Sequence, residues 1–413
     1  MDEQRAERIG TRVRDARQHA RLSVRQLAEF AGVSAGFISM VENGQRLLDR
    51  SSHIIAIAGA VGLTPTELLG QPFLSSGSGT SAAHETIPTL RLALMGMSPA
   101  APPGRQSPAD ALAPLATRVA ETNRLYHAAE YGEVASRLPG LLVDLHAAAD
   151  ARRGTQRQKA LKLLAATYHP ACTLLLKYLG YIDLAFIAVT RAAEVIAEID
   201  DPVHTALSGF WRTHVLLGAG SPSQALAQAT AAVNLLEQHL ITPAAHALLG
   251  ELHLISATSI TVDKLRPGED RADDVHAHLA EAARLAEHTG ETQDWHLNFG
   301  PTNVGIHRVS LNCDLGMYED AVRAQDGVHP ETLDKAPGRQ AAFHVDLGRS
   351  LVRLRGRESQ AVAELLTAEK IAPQRVHANA LVRDAVGALV DRQLPAGQAR
   401  RLLALADRMA LPL

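Results

Sequence analysis

Cysteine is nearly absent. The two in 413 residues, Cys172 and Cys313, are too far apart for a disulfide framework and lack metal-ligand spacing. They read as buried thiols in a reducing cytosol. Aromatic residues make up only 4% of the chain, so any large core must be aliphatic. No apolar run is long enough to span a bilayer, and the start, MDEQRAERIG, is acidic and polar, unlike a signal peptide. A cytoplasmic protein with no membrane partner is expected. Neither sign of charge dominates: the formal net charge is −3, so no global basic field points to nucleic acid. No period-two strand run occurs. Catalytic patterns are lacking too. Gly300-Pro301-Thr302-Asn303 is not a glycine-rich phosphate loop. His276 and His278, two apart on a helix, point to different faces and cannot share a metal. No Ser-His-Asp context appears. The expectation is no enzyme, no cofactor and no metal.

What the chain does have is alanine and leucine, which favour closely packed helices. The most informative stretch is Arg21 to Gly70. Ser23 with Gln26 forms a capping box that opens a helix with Leu27, Ala28 and Ala31 inward. Gly32-Val33 makes a tight turn. Ser34 caps a second helix with Phe37, Ile38 and Val41 inward. Asn43-Gly44 stops it, both residue types tolerating a left-handed backbone. Thr64, Pro65 and Glu67 start a last short helix. Helix, tight turn, helix is the geometry that enters a major groove.

Residues 5–70 resemble the helix-turn-helix domain of the XRE family of transcriptional regulators. The likeness is carried by Ile9-Gly10, Arg14, Arg17, Leu22-Ser23, Gln26-Leu27-Ala28, Ala31 to Ser34, Phe37 to Ser39, Val41 to Arg46, the Ile54–Leu63 helix and Thr64 to Leu69. It implies a lambda-repressor-like head of five helices. It also implies that Ser34, Ala35, Gly36, Ser39 and Met40 face base edges. Asn43, Gln45 and Arg46 then lie at phosphate-contacting positions, and Arg17 and Glu42 form an internal salt bridge. Family members often carry Gln where Val24 stands, and a basic or polar residue at Ala35 and Met40. This recognition helix has no Arg or Lys to grip a guanine. Ala35 suits a thymine methyl and Ser39 several bases, so modest affinity per half-site and some reading of DNA shape are expected. Within 1–75, nine basic residues face eight acidic ones. So small an excess demands two heads on one duplex.

Gln71 to Ser81 is Gly/Ser-rich, and Ser98 to Pro108 is Pro-rich. Between them sits an apolar island, Ile87 to Met95, expected to dock on a neighbouring domain. From about Asp110 onward the pattern becomes paired amphipathic helices. Gly180, Gly220, Gly316 and Gly356 each precede an alanine by five residues: Ala185, Ala225, Ala321 and Ala361. Further alanines follow at Ala192, Ala232 and Ala368, then Pro373. This resembles the tetratricopeptide repeat, although both glycine spacings are 40 residues against a usual period of about 34. Longer helices or loop insertions are implied. The whole chain resembles XRE-type regulators of actinobacteria with a tetratricopeptide-like C-terminal domain, and arginine far outnumbers lysine, as suits a GC-rich genome.

The fold expected is all-α. A helix-turn-helix domain spans 1–72, a flexible linker with a short apolar segment 73–108, and a tetratricopeptide-like solenoid 109–413. First helices of each pair line the concave face of such a solenoid. That makes Tyr168, Trp211, Arg212, His214, Trp295, Asn303, His307 and Arg308 candidates for a ligand groove. Asn suits a peptide backbone and Arg a carboxylate. The expected function is a sequence-specific regulator that binds double-stranded DNA as a homodimer on a pseudo-palindromic operator. Its solenoid would sense a peptide or small-molecule signal, or a protein partner. The alternative is an interaction scaffold whose helix-turn-helix is a docking module.

Overall fold

The computed structural model describes residues 8–73, 81–96, 112–263 and 271–411; among them there are helices and turns and no strand. The Gly/Ser stretch 74–80 and the Pro-rich stretch 98–108 lie outside these residues.

Five helices form the head: α1 (Ile9–His19), α2 (Val24–Ala31), α3 (Ala35–Glu42), α4 (Ser51–Ala60) and α5 (Pro65–Leu68). Local chemistry sets their ends. Ser23 Oγ accepts from Gln26 N at 3.2 Å, and Gln26 Oε1 accepts from Ser23 N at 2.9 Å. Gly32, at φ 68°, closes α2, and Ser34 Oγ accepts from Phe37 N at 3.1 Å to open α3. Thr64 and Glu67 form the second box, with Pro65 at the first helical position. One detail differs from expectation. Asn43 keeps φ −93° and only Gly44, at φ 70°, is left-handed, because a single glycine suffices to turn the chain. Val13, Leu27, Ile38 and Ile57 make a dry centre. Gly10 lets α1 lie on α3: a Cβ there would sit 2.1 Å from the Val41 carbonyl oxygen.

The body continues with α6 (Ser81–Leu94), α7 (Leu112–His127), α8 (Tyr131–Asp150) and α9 (Gly154–Thr167), then a π-helical turn at Tyr168–Cys172. Next come α10 (Thr173–Tyr178), α11 (Ile182–Ile199), α12 (Pro202–Gly218), α13 (Pro222–Glu237), α14 (Pro243–Val262) and α15 (Ala272–Thr289). The chain ends with α16 (Pro301–Leu315), α17 (Tyr318–Arg323), α18 (Pro337–Val352), α19 (Glu358–Ile371), α20 (Pro373–His377), α21 (Ala380–Val390) and α22 (Ala396–Arg408). The apolar island is not linker. It lies in α6, whose Ala83, Ile87, Leu90 and Leu94 are buried, and α6 packs on α8.

Successive helices stack as antiparallel hairpins. Gly180, Gly220, Gly316 and Gly356 all take positive φ, between 77° and 91°, at the turns α10–α11, α12–α13, α16–α17 and α18–α19. The alanines after them are buried, which brings backbones together. A Cβ on Gly209 would come within 2.9 Å of Ala232 Cβ. Both causes of the 40-residue spacing occur. Between Gly180 and Gly220 the helices are long, at 18 and 17 residues. Between Gly316 and Gly356, α17 has 6 residues and the loop to α18 carries a 3₁₀ turn at Pro330–Thr332.

The hairpins curl until the last meet the first. Gln374 Oε1 accepts from Gly132 N at 3.1 Å, and Gly338 lies against the His127 carbonyl. The head sits on the turns of the hairpins. Gly220 abuts Pro65, Gly180 abuts Gln71 and Pro72, and Gly316 abuts Arg50. Polar contacts fix it there. Ser51 Oγ donates to Asp314 at 3.2 Å, and Arg50 Nε donates to the Asp314 carbonyl at 3.1 Å. Arg349 donates to the Asp49 carbonyl at 2.6 Å, Arg353 pairs with the Asp49 carboxylate at 3.3 Å, and Arg383 stacks on Phe73 at 4.4 Å. No helix among the described residues is long and apolar enough to cross a membrane.

Candidate DNA-reading face and a cavity in the body

The reading face is built by burying everything around it. Phe37, Ile38 and Val41 turn into the head core, and this turns Ser34, Ala35, Gly36, Ser39 and Met40 outward. All five are exposed, as are Asn43, Gln45 and Arg46 just beyond the helix. The body does not cover them. The side chains differ in freedom. Arg14 donates to Asn43 Oδ1 at 2.6 Å and to the Glu42 carbonyl at 2.8 Å, so Asn43 is held at the helix end. The Arg46 guanidinium lies 4.9 Å from the Phe37 ring centroid, an orientation that presents its charge beside the helix. Ser34 spends its hydroxyl as a cap.

Behind the face, Arg17 grips Glu42 with both arms, Nε to Oε1 at 2.6 Å and Nη2 to Oε2 at 2.9 Å. Glu42 is buried, and the hydrogen bond and charge of Glu42 raise the Arg17 pKa further. The pair ties α1 to α3 and so fixes the angle of the recognition helix.

A cavity lies inside the curl of the body. About 130 Å³ is open to the centres of water-sized molecules. It is lined by first helices of the hairpins: Tyr178 of α10, Trp211 and His214 of α12, Glu251 of α14, Asn303 and His307 of α16, and Arg339 of α18. Arg375 of α20 and the C-terminal end of α7 close it. Four groove candidates, Trp211, His214, Asn303 and His307, meet here. The other four lie elsewhere. Tyr168 is buried in the π-helical turn, its hydroxyl 3.0 Å from His146 Nε2. Arg212 lies over the Phe186 ring, Trp295 packs edge-on to His204, and Arg308 is exposed.

Charged and polar groups meet apolar walls inside. Asn303 bridges two charges, donating from Nδ2 to Glu251 at 2.8 Å and accepting at Oδ1 from Arg339 Nε at 2.5 Å. Burial pushes the Glu251 carboxyl up to about 7, against the pull of Arg339 and the Asn303 hydrogen bond. Arg375 stacks on Tyr178, 4.2 Å from its centroid, and donates to its hydroxyl at 3.2 Å. Burial and the nearby Lys177, Arg339 and Arg375 hold His214 far below its usual range; burial, Arg339 and His214 do the same to His307. Burial with the His296 charge takes His127 down to about 4. These imidazoles are neutral at pH 7, which leaves the arginines as the positive groups. The rim is a strained loop: Trp295 and His296 both take left-handed backbone, at φ 49° and 63°, and His296, Leu297 and Asn298 face the cavity.

Four lining residues, Arg339, Arg375, Tyr178 and Glu251, are not among the candidates expected from the sequence. Glu251 had a signal, being the one acid in the apolar run of α14. The arginines had none, since each follows an ordinary Pro helix start. Among the described residues no cluster of metal-ligating side chains is found.

A protein-family profile described as a helix-turn-helix domain matches residues 8–69, the head and its reading face. A search of curated proteins finds no match to the chain. The head is therefore a helix-turn-helix domain of the DNA-binding kind, joined to an all-α, repeat-like body.

Proposed function

We propose that this protein is a sequence-specific transcriptional regulator of the XRE type, acting in the cytoplasm as a homodimer on a pseudo-palindromic operator. One observation carries the reading. The helix-turn-helix core is complete, and every residue expected to face DNA is outward and uncovered. A single head with so little net charge binds weakly, and two-fold pairing places half-sites about one helical turn apart. The body is a tetratricopeptide-like sensor and has no catalytic part.

What supports coupling between sensor and head is the path of two helices. Asn303 and His307 of α16 line the cavity, and Asp314 near its C-terminal end holds Ser51 and Arg50. Arg339 of α18 lines the cavity, and Arg349 holds the Asp49 carbonyl. Each pair is about 15 Å apart along a rigid helix. A ligand that shifts either helix therefore moves the seat of the head.

The exposed Met40 and the lack of a basic residue on α3 favour a second reading, a head that docks on protein. The double variant Gln45→Ala/Arg46→Ala separates the two. As a DNA reader it loses affinity for all duplexes, and its salt slope falls by about one, for the lost Arg46 charge. Unchanged DNA affinity would favour the docking module.

A further inference from the structure

Of the two arginines that line the cavity, Arg339 has the less committed guanidinium. Arg349 is buried against Asp314 and Asp346, at 3.2 and 2.7 Å. Arg375 is committed to Tyr178. Arg339 spends only Nε, on the neutral Asn303, and its Nη2 is buried with no partner. Burial pulls the Arg339 pKa down, opposite to Arg349, whose neighbours Cys313, Asp314 and Asp346 raise it against burial. A second lining residue also carries an unmatched donor: Trp211 is 3% exposed and its buried Nε1–H has no acceptor. Buried donors of this kind are rare and call for an acceptor. The space available exceeds what one water needs by roughly tenfold. Tyr126, Phe210 and Trp211 supply flat apolar walls.

We propose that the cavity binds a small organic carboxylate with a flat apolar body, its oxygens taking the hydrogen bonds that Arg339 Nη2 and Trp211 Nε1 leave unmade. One free guanidinium arm and one neutral N–H suit a single negative charge, and Glu251 beside them opposes a dianion such as phosphate. The small volume and the rim loop admit a compact molecule. This deepens the reading of the body as a sensor, by naming the signal's chemistry.

The test is titration calorimetry on the full chain at pH 7 with phenylacetate and benzoate, their primary amides, and the dipeptide Gly-Phe as free acid and as C-terminal amide. The acids bind saturably, and each matched amide binds at least about tenfold more weakly. An acid preference in either the free-acid or the dipeptide arm supports the site, and the tighter arm identifies the source. Arg339→Gln weakens the acids far more than the amides, whereas Glu251→Gln tightens the acids. A merely structural role does not produce these opposite signs. Should Arg339→Gln unfold, Trp211→Phe keeps the wall, removes one donor and weakens the acids more than the amides. Amides that bind as well as acids, or no saturable heat from any acid at millimolar concentration, overturn the proposal. DNA affinity is read separately with and without acid. Acid binding that leaves it unchanged supports the site and removes the sensor reading, so the two failures are distinguishable.

Discussion

At the scale of single residues, Glu251 shows how a buried acid feels its surroundings. Its carboxyl is raised to about 7 by burial, against 4.5 in the unfolded chain. The folded state then holds an extra proton between those values. The stabilising contribution is complete below 4.5 and is lost as pH rises through 7. Glu251→Gln removes that loss, since an amide stays neutral. Relative to the parent chain, the variant is therefore about equal at pH 5 and more stable at pH 8, by up to roughly 3 kcal/mol. Chemical denaturation at the two pH values measures the gap, and a gap of the same size at both contradicts the assignment. Legibility at this scale is uneven. Ser23, Gly32, Ser34 and Thr64 were readable because a cap or a turn is decided within four residues. Arg339 and Glu251 were not. They are 88 positions apart and meet only because α14, α16 and α18 stack side by side.

At the scale of elements, the head depends on how α1 braces α3. Arg17→Ala leaves Glu42 buried without its bidentate partner, and Arg14, 3.6 Å away and half exposed, replaces little of it. The head loses roughly 3 kcal/mol. DNA affinity falls with it although Arg17 faces no DNA. Hydrogen exchange of α1 and α3 amides reads the loss directly, and unchanged protection there contradicts the bracing role. The turns tell a complementary story. The glycine–alanine spacing gave away the hairpins because φ > 0 and close backbones each demand one residue type. The docking of α6 was expected from its apolar island, but its helical form was hidden by flanking Gly/Ser and Pro-rich stretches. The rim loop was illegible for another reason. Trp295 and His296 hold left-handed backbone that neither residue type favours, and only tertiary contacts impose it.

At the scale of the whole molecule, the head rests on hairpin turns through an ion network centred on Asp49, Asp314 and Arg349. Nothing in local sequence pattern announces this, since residues near 50 meet residues near 314 and 349. Arg349→Met leaves the Asp314 and Asp346 carboxylates without their arginine and frees the Asp49 carbonyl. Exchange at residues 49–51 and 314–318 then speeds up, while the α8 core stays protected. Equal acceleration in α8 would mean that the network holds the body together and not the head to it. Whether two heads read a symmetric site is decided by selecting binding sites for the full chain from a library of randomised duplexes in moderate salt. A two-fold symmetric sequence with half-sites about 10 base pairs apart, bound by two protomers, is enriched. Selection that enriches no sequence over the starting library would contradict the symmetric reading.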